Sequence, residues 1–556
     1  MANIKFFALG GLGENGKNMY VVEVDERIFV LDAGLKYPDI DMYGVDAVIA
    51  DISYLIENKD RIEGIFLSHG HEDHISALPY LLKKIPVRIY GTHFTICLIE
   101  NLLTDNKMNI KDYKLFRINE NKILKFGNVN VSFFNTTHSI PESVAISINT
   151  EDGSIVYCTD FNFSPIYNGS YQTSFDKITD LGKRKVLALL SESLGAGSID
   201  RIKNDSFLEH NYKNVLINAT GRIIVSAYSS DLSRIQKIIN MSVEKGKRIA
   251  IIGRKAEKIV DVAIKSNYLN IPDGYLVSLK PIDNNENVLY DNNLVVIVTG
   301  VRHEPYNLLV RMAMGEDHFI KIQNEDSVII MCPPVPGTEK YAITSLNTLY
   351  RYDVNVTIFD KKILSSTHAC KDDLKLLYSM LKPKYIIPIK GEYRHMYEQY
   401  LVAKEAKYND DEIFLLENGV VLNFKEGNYE SESSVHVGDT FVDGSLVGHV
   451  NESIIKNREN LAEEGAVIFT INYDSRLRKA TFGTFITKGF ISKMPLEELS
   501  NKINDLSVKI VNNNLVKKHF ELAKVKETVE DEISKIIFRF TKHKPEIICE
   551  LIDISK

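Results

Sequence analysis

Short apolar runs separated by polar turns dominate the first two hundred residues. Runs of this kind, which predict strands, lie at 6–9, 20–24, 28–31, 64–67, 131–134, 145–148, 154–158 and 186–192. The first three runs follow one another closely, which predicts an antiparallel meander. A helical pattern begins near residue 75, directly after the fourth run. This alternation predicts an α/β domain.

Between about residues 200 and 360 the strand-like runs become almost wholly apolar and alternate with longer helical patterns. The apolar runs lie at 223–226, 248–252, 295–298 and 328–331. Strands that are apolar on both faces are typical of a parallel sheet covered by helices on both sides. We therefore expect a second α/β domain here.

The remainder of the chain predicts a return to the first domain and then a small additional one. A helix is predicted at 372–381 and a strand at 385–389, while the polar stretch 424–434 has the composition of a linker. Later patterns predict two helices and a final strand, hence a small C-terminal α/β domain. The predicted boundaries are 1–199 and 361–425 for the two parts of the first domain, 200–360 for the second domain, 426–450 for the linker and 451–556 for the C-terminal domain.

Composition narrows the class of protein. The chain has 556 residues, of which 44% are hydrophobic and 25% charged, as in globular proteins. No apolar run is long enough to span a membrane, and the N-terminus lacks the layout of a signal peptide. Five scattered cysteines predict a reducing, cytoplasmic location and argue against a disulfide framework. The net charge of −7 is weak evidence against a nucleic-acid enzyme, although only the local field acts on phosphate.

Residues 69–74 read His-Gly-His-Glu-Asp-His and follow a predicted buried strand. A loop at the carboxyl end of a strand is where α/β proteins place their chemistry. The segment can divide between two metal ions, with His69 and His71 on one ion and Asp73 and His74 on the other. Two ions about 3.5–4 Å apart activate water and hold a phosphate in line. The alternative is that these are solvent-exposed loop histidines.

Two more polar residues follow predicted strands in the same way. His138 comes after the run 131–134, and Asp160 comes after the run 154–158. Taken alone, His138 is more simply interpreted as a loop cap. Beside the 69–74 cluster it is predicted to complete the first ion's imidazole set, and Asp160 to bridge both ions.

In chain order, Asp32 in Leu-Asp-Ala-Gly, the 69–74 cluster, His138 and Asp160 resemble the motifs of the metallo-β-lactamase fold. That fold is a four-layer αβ/βα sandwich with a dinuclear zinc site at its edge. Leu-Ser-Glu-Ser at 190–193 resembles the acidic motif that opens the β-CASP insertion of nucleic-acid nucleases. Later segments resemble the ribonuclease J family, namely Pro-Pro-Val-Pro-Gly-Thr-Glu at 333–339, Ser-Ser-Thr-His at 365–368 and the stretch 382–395. The resemblance begins near residue 5 and reaches the C-terminus. It implies that 200–360 is an inserted β-CASP domain and 451–556 a dimerisation module.

The resemblance implies a zinc-dependent ribonuclease that degrades single-stranded RNA 5′ to 3′, with endonuclease cleavage as a second activity, in mRNA decay and rRNA maturation. It implies two Zn²⁺ ions, with Mn²⁺ or Mg²⁺ as alternatives, and a homodimer or a heteromer with a paralogue. The implied ligands are His69, His71, Asp73, His74, His138 and Asp160. The implied catalytic residues are Asp73, Asp160 and His368, with Asp32 and Glu192 orienting ligands. The implied substrate-binding residues are Ser365, Ser366, Thr367, His368, Ser229 and Arg234.

Two positions depart from the family pattern. Lys390 stands where active members carry a histidine that binds the second metal, and an ammonium has no lone pair to give. The second ion would keep Asp73, His74 and Asp160, so its site is expected to be weakened. Leu364 stands where the family's phosphate-binding loop begins with histidine.

These departures resemble the catalytically weak second paralogue found beside an active ribonuclease J. The alternative function is therefore an RNA-binding partner or scaffold subunit with little or no activity. The complete first ligand set favours the nuclease. A small-molecule hydrolase on the same fold would leave the 200–360 insertion and the C-terminal domain unexplained.

Overall fold

The structure is a computed structural model that describes residues 2–39, 41–164, 169–198, 205–253, 256–279, 291–359, 364, 366–444, 446–517 and 520–555. The chain divides into two compact units, each described by itself. The first unit comprises residues 1–37 and 47–440, and the second comprises residues 38–46 and 441–556. The predicted boundaries at 199/200 and 360/361 fall outside the described residues.

Two sheets packed face to face form the centre of the first unit. One has eight strands in the order β23-β22-β1-β3-β4-β7-β8-β9, and the other has six in the order β10-β11-β12-β13-β14-β20. The strands of this unit up to residue 200 are β1 (Asn3–Gly10), β2 (Leu12–Gly13), β3 (Met19–Val24), β4 (Arg27–Leu31), β5 (Leu35–Lys36), β6 (Ala47–Ala50), β7 (Ile62–Phe66), β8 (Arg88–Gly91), β9 (Lys114–Arg117), β10 (Ile123–Phe126), β11 (Val129–Asn135), β12 (Val144–Thr150), β13 (Gly153–Cys158) and β14 (Val186–Glu192). The predicted meander is confirmed, because β1, β3 and β4 pair antiparallel.

Apolar side chains from the inner faces of both sheets form one core. Phe29, Phe66 and Phe126 meet there with ring centroids 5.6–6.0 Å apart. A second core lies on the outer face of the six-stranded sheet, beneath the helices Phe175–Gly182, Lys371–Leu381 and Tyr393–Glu405. The helices of this part are α1 (Ser53–Glu57), α2 (Glu72–Ile75), α3 (Leu78–Leu82), α4 (His93–Asp105) and α5 (Phe175–Gly182).

The inserted region forms its own five-stranded, wholly parallel sheet in the order β16-β17-β15-β18-β19. Its central strands are buried along their length, as the all-apolar runs predict. The elements are α6 (Asp205–Asn218), β15 (Ile223–Tyr228), α7 (Leu232–Glu244), β16 (Arg248–Ile252), α8 (Ala256–Lys265), β17 (Leu294–Gly300), α9 (Glu304–Met314), β18 (Ser327–Ile330), α10 (Glu339–Arg351) and β19 (Asn355–Ile358).

The chain then returns to the two-sheet sandwich. Strand β20 pairs in parallel with β14 and completes the six-stranded sheet. The elements are α11 (Lys371–Leu381), β20 (Tyr385–Ile389), β21 (Gly391–Glu392), α12 (Tyr393–Glu405), β22 (Val420–Lys425) and β23 (Asn428–Ser434). The stretch 428–434 lies in the predicted linker but forms the edge strand of the eight-stranded sheet. All its residues are exposed, which explains why its composition is that of a linker.

The second unit contains a three-stranded sheet in the order β27-β26-β28, covered by two long helices. Leu499, Ile503 and Val511 on the first helix, and Val529 and Ile533 on the second, are fully buried at helical spacing. The elements ending the chain are β24 (Asp439–Asp443), β25 (Leu446–Val447), α13 (Glu452–Glu463), β26 (Ala466–Asp474), β27 (Lys479–Lys488), α14 (Leu496–Leu515), α15 (Leu522–Thr541) and β28 (Glu546–Asp553). Among the described helices we find none with both the length and the apolar character of a membrane span.

Candidate metal and catalytic site

The functional side chains gather where strands of both sheets end. Asp32 directly follows β4, the 69–74 loop follows β7, Asp160 follows β13 and Lys390 follows β20. Asp32, Asp160 and Lys390 all adopt left-handed backbone angles, with φ of 61°, 33° and 50°. Residues other than glycine rarely take this conformation, and such strain concentrates at functional sites. Asp32, Asp160 and Lys390 therefore each lie in a sharp turn at or just after the end of a strand.

One close backbone approach holds the 69–74 loop against the end of β4. A side-chain carbon on Gly34 would lie 1.6 Å from the Asp73 carbonyl oxygen, so only glycine fits. The backbone N–H of Ala33 donates to the His74 carbonyl at 2.8 Å. These contacts fix where Asp73 and His74 begin, and hence where their side chains can reach.

The first cluster brings together His69, His71, His138 and Asp160, whose candidate ligand atoms all lie within 4.8 Å of one another. Nδ1 of His71 is 3.1 Å from Nε2 of His69 and 3.2 Å from Nε2 of His138. The Asp160 Oδ2 atom is 3.3 Å from the His69 Nε2 atom. His69, His71 and His138 are the predicted ligands of the first ion, and Asp160 is the residue predicted to bridge both ions.

The outward hydrogen bonds of these rings fix which nitrogen carries the proton. His138 donates from Nδ1 to the Thr367 carbonyl at 2.8 Å, and His71 donates from Nε2 to the Ser230 carbonyl at 3.2 Å. Nδ1 of His69 is 3.0 Å from the Ser68 hydroxyl, whose own proton goes to Asp32. A neutral imidazole carries one N–H, so the nitrogens facing the cluster are lone pairs.

The pKa shifts of the three histidines in the first cluster also indicate that their rings are neutral. Burial, reinforced by the neighbouring imidazole of His69, lowers the pKa of His71 to about 3. Burial also lowers the pKa of His69 and of His138. Three imidazole lone pairs and a carboxylate that converge without a proton among them form the nitrogen-rich donor set that binds zinc and similar ions. The first cluster therefore fits a metal ion.

The second cluster contains the predicted ligands Asp73, His74 and Asp160, and the ammonium group of Lys390 lies among them. Its Nζ atom is 2.9 Å from Asp73 Oδ2 and 2.7 Å from His74 Nε2, and it also donates to Asp160 Oδ2. An ammonium has three N–H groups, and here each meets one ligand atom. Lys390 is only 2% exposed. The three ligand atoms are thus already bound, and the cluster does not fit a second ion.

Charges account for the lysine's protonation. Burial opposes the ammonium form, but the Asp160 and Asp73 carboxylates outweigh it and raise the pKa of Lys390. In return, against the effect of burial, the ammonium lowers the pKa of both carboxyls. Those carboxylates and Asp32 also raise the pKa of His74, a shift that burial and Lys390 oppose. The raised pKa favours a protonated ring, but the geometry decides against it. An ammonium cannot accept a hydrogen bond, so the 2.7 Å contact with Lys390 requires a neutral His74 with its lone pair on Nε2 and its proton on Nδ1, facing Asp32.

Asp32 is predicted to orient ligands, and in the structure its carboxylate contacts His74 directly and His69 through Ser68. Its buried carboxylate accepts from the Ser68 backbone at 2.7 Å, the Ser68 hydroxyl at 2.7 Å, His74 Nδ1 at 2.6 Å and the Tyr157 hydroxyl at 2.5 Å. The His74 contact sets that ring's tautomer, and the Ser68 contact does the same indirectly for His69.

A third group pairs the other predicted residues, Glu192 and His368. The Glu192 Oε2 atom is 2.7 Å from His368 Nδ1, and its Oε1 atom accepts from the backbones of Phe161 and Ala369. Against the effect of burial, the Glu192 carboxylate raises the pKa of His368. The His368 ring centroid lies 5.5 Å from that of His138. A protonatable imidazole therefore stands beside the metal cluster, and its side chain is 31% exposed.

The predicted substrate residues are placed in different surroundings. Ser366 is exposed and exchanges hydrogen bonds with the His368 backbone, while Ser229 is fully buried. Arg234 pairs with Asp231 at 2.9 Å. Thr367 contributes its carbonyl to His138, and Leu364 is buried. Ser365 lies outside the described residues, and the substrate roles stay predictions.

Some contributors carry no sequence signal of their own. The Ser230 carbonyl comes from the inserted domain, the Tyr157 hydroxyl donates to Asp32, and the Ser68 hydroxyl links Asp32 with His69. Asn18 donates from its amide to Asp73 Oδ2 at 3.2 Å. Only the position of Ser68, directly before the histidine cluster, could have drawn attention to it.

Comparison with known proteins finds family matches in four parts of the chain and relatives that are similar over nearly its whole length. Residues 12–187 match the metallo-beta-lactamase superfamily, 220–349 the beta-CASP domain of ribonuclease J, 352–412 the RNA specificity domain of Zn-dependent metallo-hydrolases, and 453–554 the ribonuclease J C-terminal domain. Proteins named Ribonuclease J 2 from Staphylococcus epidermidis and Staphylococcus aureus are 35% and 34% identical over 99% of this chain and 98% of theirs. A crystal structure of a protein of unknown function from Enterococcus faecalis, 16% identical, covers 76% of this chain and all of its own with a TM-score of 0.53, which shows the fold alone.

The two-sheet sandwich, the parallel α/β insertion and the strand-end histidine cluster define a metallo-β-lactamase fold with a β-CASP domain. This confirms the predicted fold class. Together with the full-length similarity, they show that the chain belongs to the ribonuclease J family.

Proposed function

We propose that the chain is a metal-dependent ribonuclease that degrades single-stranded RNA from its 5′ end, with internal cleavage as a second activity. The observation that carries this proposal is the convergence of three imidazole lone pairs and the Asp160 carboxylate beside the Glu192–His368 pair. Metal-assisted phosphodiester hydrolysis uses a bound ion to activate water and a proton donor to protonate the leaving oxygen. Both requirements have candidate residues within one site.

The first cluster would hold the ion, with Zn²⁺ favoured by the nitrogen donors and Mn²⁺ or Mg²⁺ as alternatives. A bound divalent ion there supplies Lewis-acid activation of water and neutralises charge on the phosphate. Asp160 orients the attacking water, and Asp73, next to the cluster, is a second carboxylate for this role. Nδ1 of His368 donates to Glu192, so the ring is held in place while its other nitrogen delivers a proton to the leaving oxygen.

Substrate binding is proposed for the loop that contains Ser365, Ser366, Thr367 and His368, and for Ser229 and Arg234 of the insertion. Thr367 and Ser230 reach the metal cluster through their carbonyls, so both loops adjoin the proposed reaction centre. The RNA specificity domain matched at 352–412 covers the first of these loops. We further propose a cytoplasmic enzyme of mRNA decay and rRNA maturation.

We propose protein partners from the match to a known C-terminal domain. The ribonuclease J C-terminal domain at 453–554 would form a homodimer or a heteromer with a paralogue. Light scattering of the full chain, compared with a chain ending at residue 440, tests this assignment. A dimer that persists without the last domain would contradict it.

The deciding assay follows a 5′-monophosphorylated, 3′-labelled single-stranded RNA. We expect release of mononucleotides by the wild type and its loss in Asp160→Asn, which removes the shared carboxylate. Asp180→Asn makes the same chemical change on an exposed side chain and should leave turnover unchanged. Equal turnover in Asp160→Asn and the wild type would refute the proposed site.

A second candidate function is supported by one observation, the Lys390 ammonium among the second set of ligands. The chain would then be an RNA-binding partner of an active paralogue, with little or no activity of its own. Folded wild-type protein that binds the RNA, retains its metal and releases no nucleotides would support this function over the first.

A further inference from the structure

We propose that the ammonium group of Lys390 takes the place of the second metal ion, so that each chain binds a single divalent transition-metal ion, at His69, His71, His138 and Asp160. This inference deepens the proposed function and rests on its metal dependence, but its test counts ions and needs no turnover.

Geometry excludes an ion beside the lysine. A zinc ion would sit about 2.0–2.2 Å from the oxygen and nitrogen atoms of Asp73, His74 and Asp160. The Lys390 Nζ atom already lies within hydrogen-bond distance of the same three atoms, at 2.9 Å from Asp73 and 2.7 Å from His74. Both cations would have to share one small space, where their like charges repel strongly.

The surroundings of Lys390 oppose any movement that would make room for a second ion. Its backbone N–H donates to the Gly11 carbonyl at 3.0 Å, and its carbonyl accepts from the Ser193 hydroxyl at 2.8 Å. The side chain is almost fully buried. Moving it aside would leave a buried ammonium without its carboxylate partners, which is strongly unfavourable.

With Lys390 in place of a second ion, Asp160 still connects the second cluster with the first. Asp160 Oδ2 accepts from Lys390 and also lies 3.3 Å from His69 Nε2 and 3.5 Å from His138 Nε2. One carboxylate oxygen therefore faces the ammonium on one side and the first cluster on the other. The lysine supplies one fixed positive charge next to the remaining ion, where a metal would supply two.

The test is a count of bound zinc. Three full-length proteins are compared, namely the wild type, Lys390→His and Lys390→Met. Each is saturated with Zn²⁺ and then freed of unbound metal. Elemental mass spectrometry gives the number of zinc ions that remain bound per chain. We expect one ion per chain in the wild type and two in Lys390→His, which restores a lone pair. Lys390→Met removes the charge without adding a ligand, so its second ion should bind more weakly than that of Lys390→His.

Two tightly bound ions in the wild type, or no additional ion in folded Lys390→His, would overturn the inference. Anomalous diffraction from zinc-soaked wild-type crystals gives a check that needs no variant. One peak among the three histidines supports the inference, and a second peak among Asp73, His74 and Asp160 refutes it. Failure of the nuclease assay with one bound ion would refute the proposed function and leave this inference standing.

Discussion

Replacing Asp32 with asparagine should loosen the 69–74 loop without changing side-chain size. The carboxylate accepts four hydrogen bonds, three of them at Oδ2. If the amide nitrogen takes the position of Oδ2, it offers no lone pair to the donors from Ser68, His74 and Tyr157. The two hydroxyls can rotate and accept instead, but the N–H of His74 cannot.

His74 cannot escape by changing tautomer. A proton on Nε2 would point at the Lys390 ammonium, 2.7 Å away. At least one buried donor is therefore left unsatisfied, at about 1–3 kcal/mol, and charge-assisted bonds are lost as well. We expect local opening to become easier by about 3 kcal/mol, which is on the order of a hundredfold in the opening equilibrium.

Hydrogen exchange read by mass spectrometry suits a chain of several domains, because it reports opening segment by segment. Peptides that cover β7 and the 69–74 loop should exchange about a hundredfold faster in Asp32→Asn, following the estimate above. Asp51→Asn is the matched control, because that carboxylate caps a surface turn at Ser53. Unchanged exchange around residue 68 in the Asp32 variant would refute the reasoning.

Two further predictions concern other parts of the first unit. Gly34→Ala places a carbon 1.6 Å from the Asp73 carbonyl oxygen, so zinc affinity measured by titration should fall at least about tenfold. In the control Gly438→Ala the nearest atom to the added carbon is Asp51 Cβ, at 4.0 Å, so this variant should bind zinc like the wild type. Burial raises the pKa of Glu23, but hydrogen bonds from the Tyr54 hydroxyl, Arg61 and Lys5 outweigh it and lower this pKa below 4.5. The ionised Glu23 therefore stabilises the fold above pH 4.5. This stabilisation is lost as the pH falls through the pKa of Glu23 in the folded protein. Thermal melting should therefore show a shallower loss of stability on acidification in Glu23→Gln; parallel pH profiles would contradict the assignment.

Strand-end reasoning from the sequence selected the residues that the structure brings together in the first candidate metal cluster. His69, His71, His138 and Asp160 each follow a predicted strand, and the structure brings them to one edge. The sequence also indicated that Lys390 could not be a ligand, because lysine lacks a lone pair at neutral pH. It did not indicate that the ammonium would lie among the remaining ligands, since that depends on the left-handed turn at residue 390.

Backbone groups and exposed strands explain what sequence reasoning missed. The Ser230 carbonyl binds His71, but any residue has a carbonyl, so no residue type marks this role. Residues 428–434 were interpreted as linker because they are polar throughout. Both faces of this edge strand are exposed to solvent, so it lacks the alternation of apolar and polar residues by which a strand is predicted.

The bond from His71 to the Ser230 carbonyl would couple the inserted domain to any metal ion bound at the first cluster. Ser139 extends this contact, because its carbonyl accepts from the Ser233 backbone at 3.1 Å. Separation of the insertion from the sandwich would free His71 to rotate or change tautomer, and the ion would be held less tightly. Linkage is reciprocal, so a bound ion must favour the apposed arrangement by the same factor. Metal binding at the first cluster and contact between the two domains would then be two readings of one equilibrium.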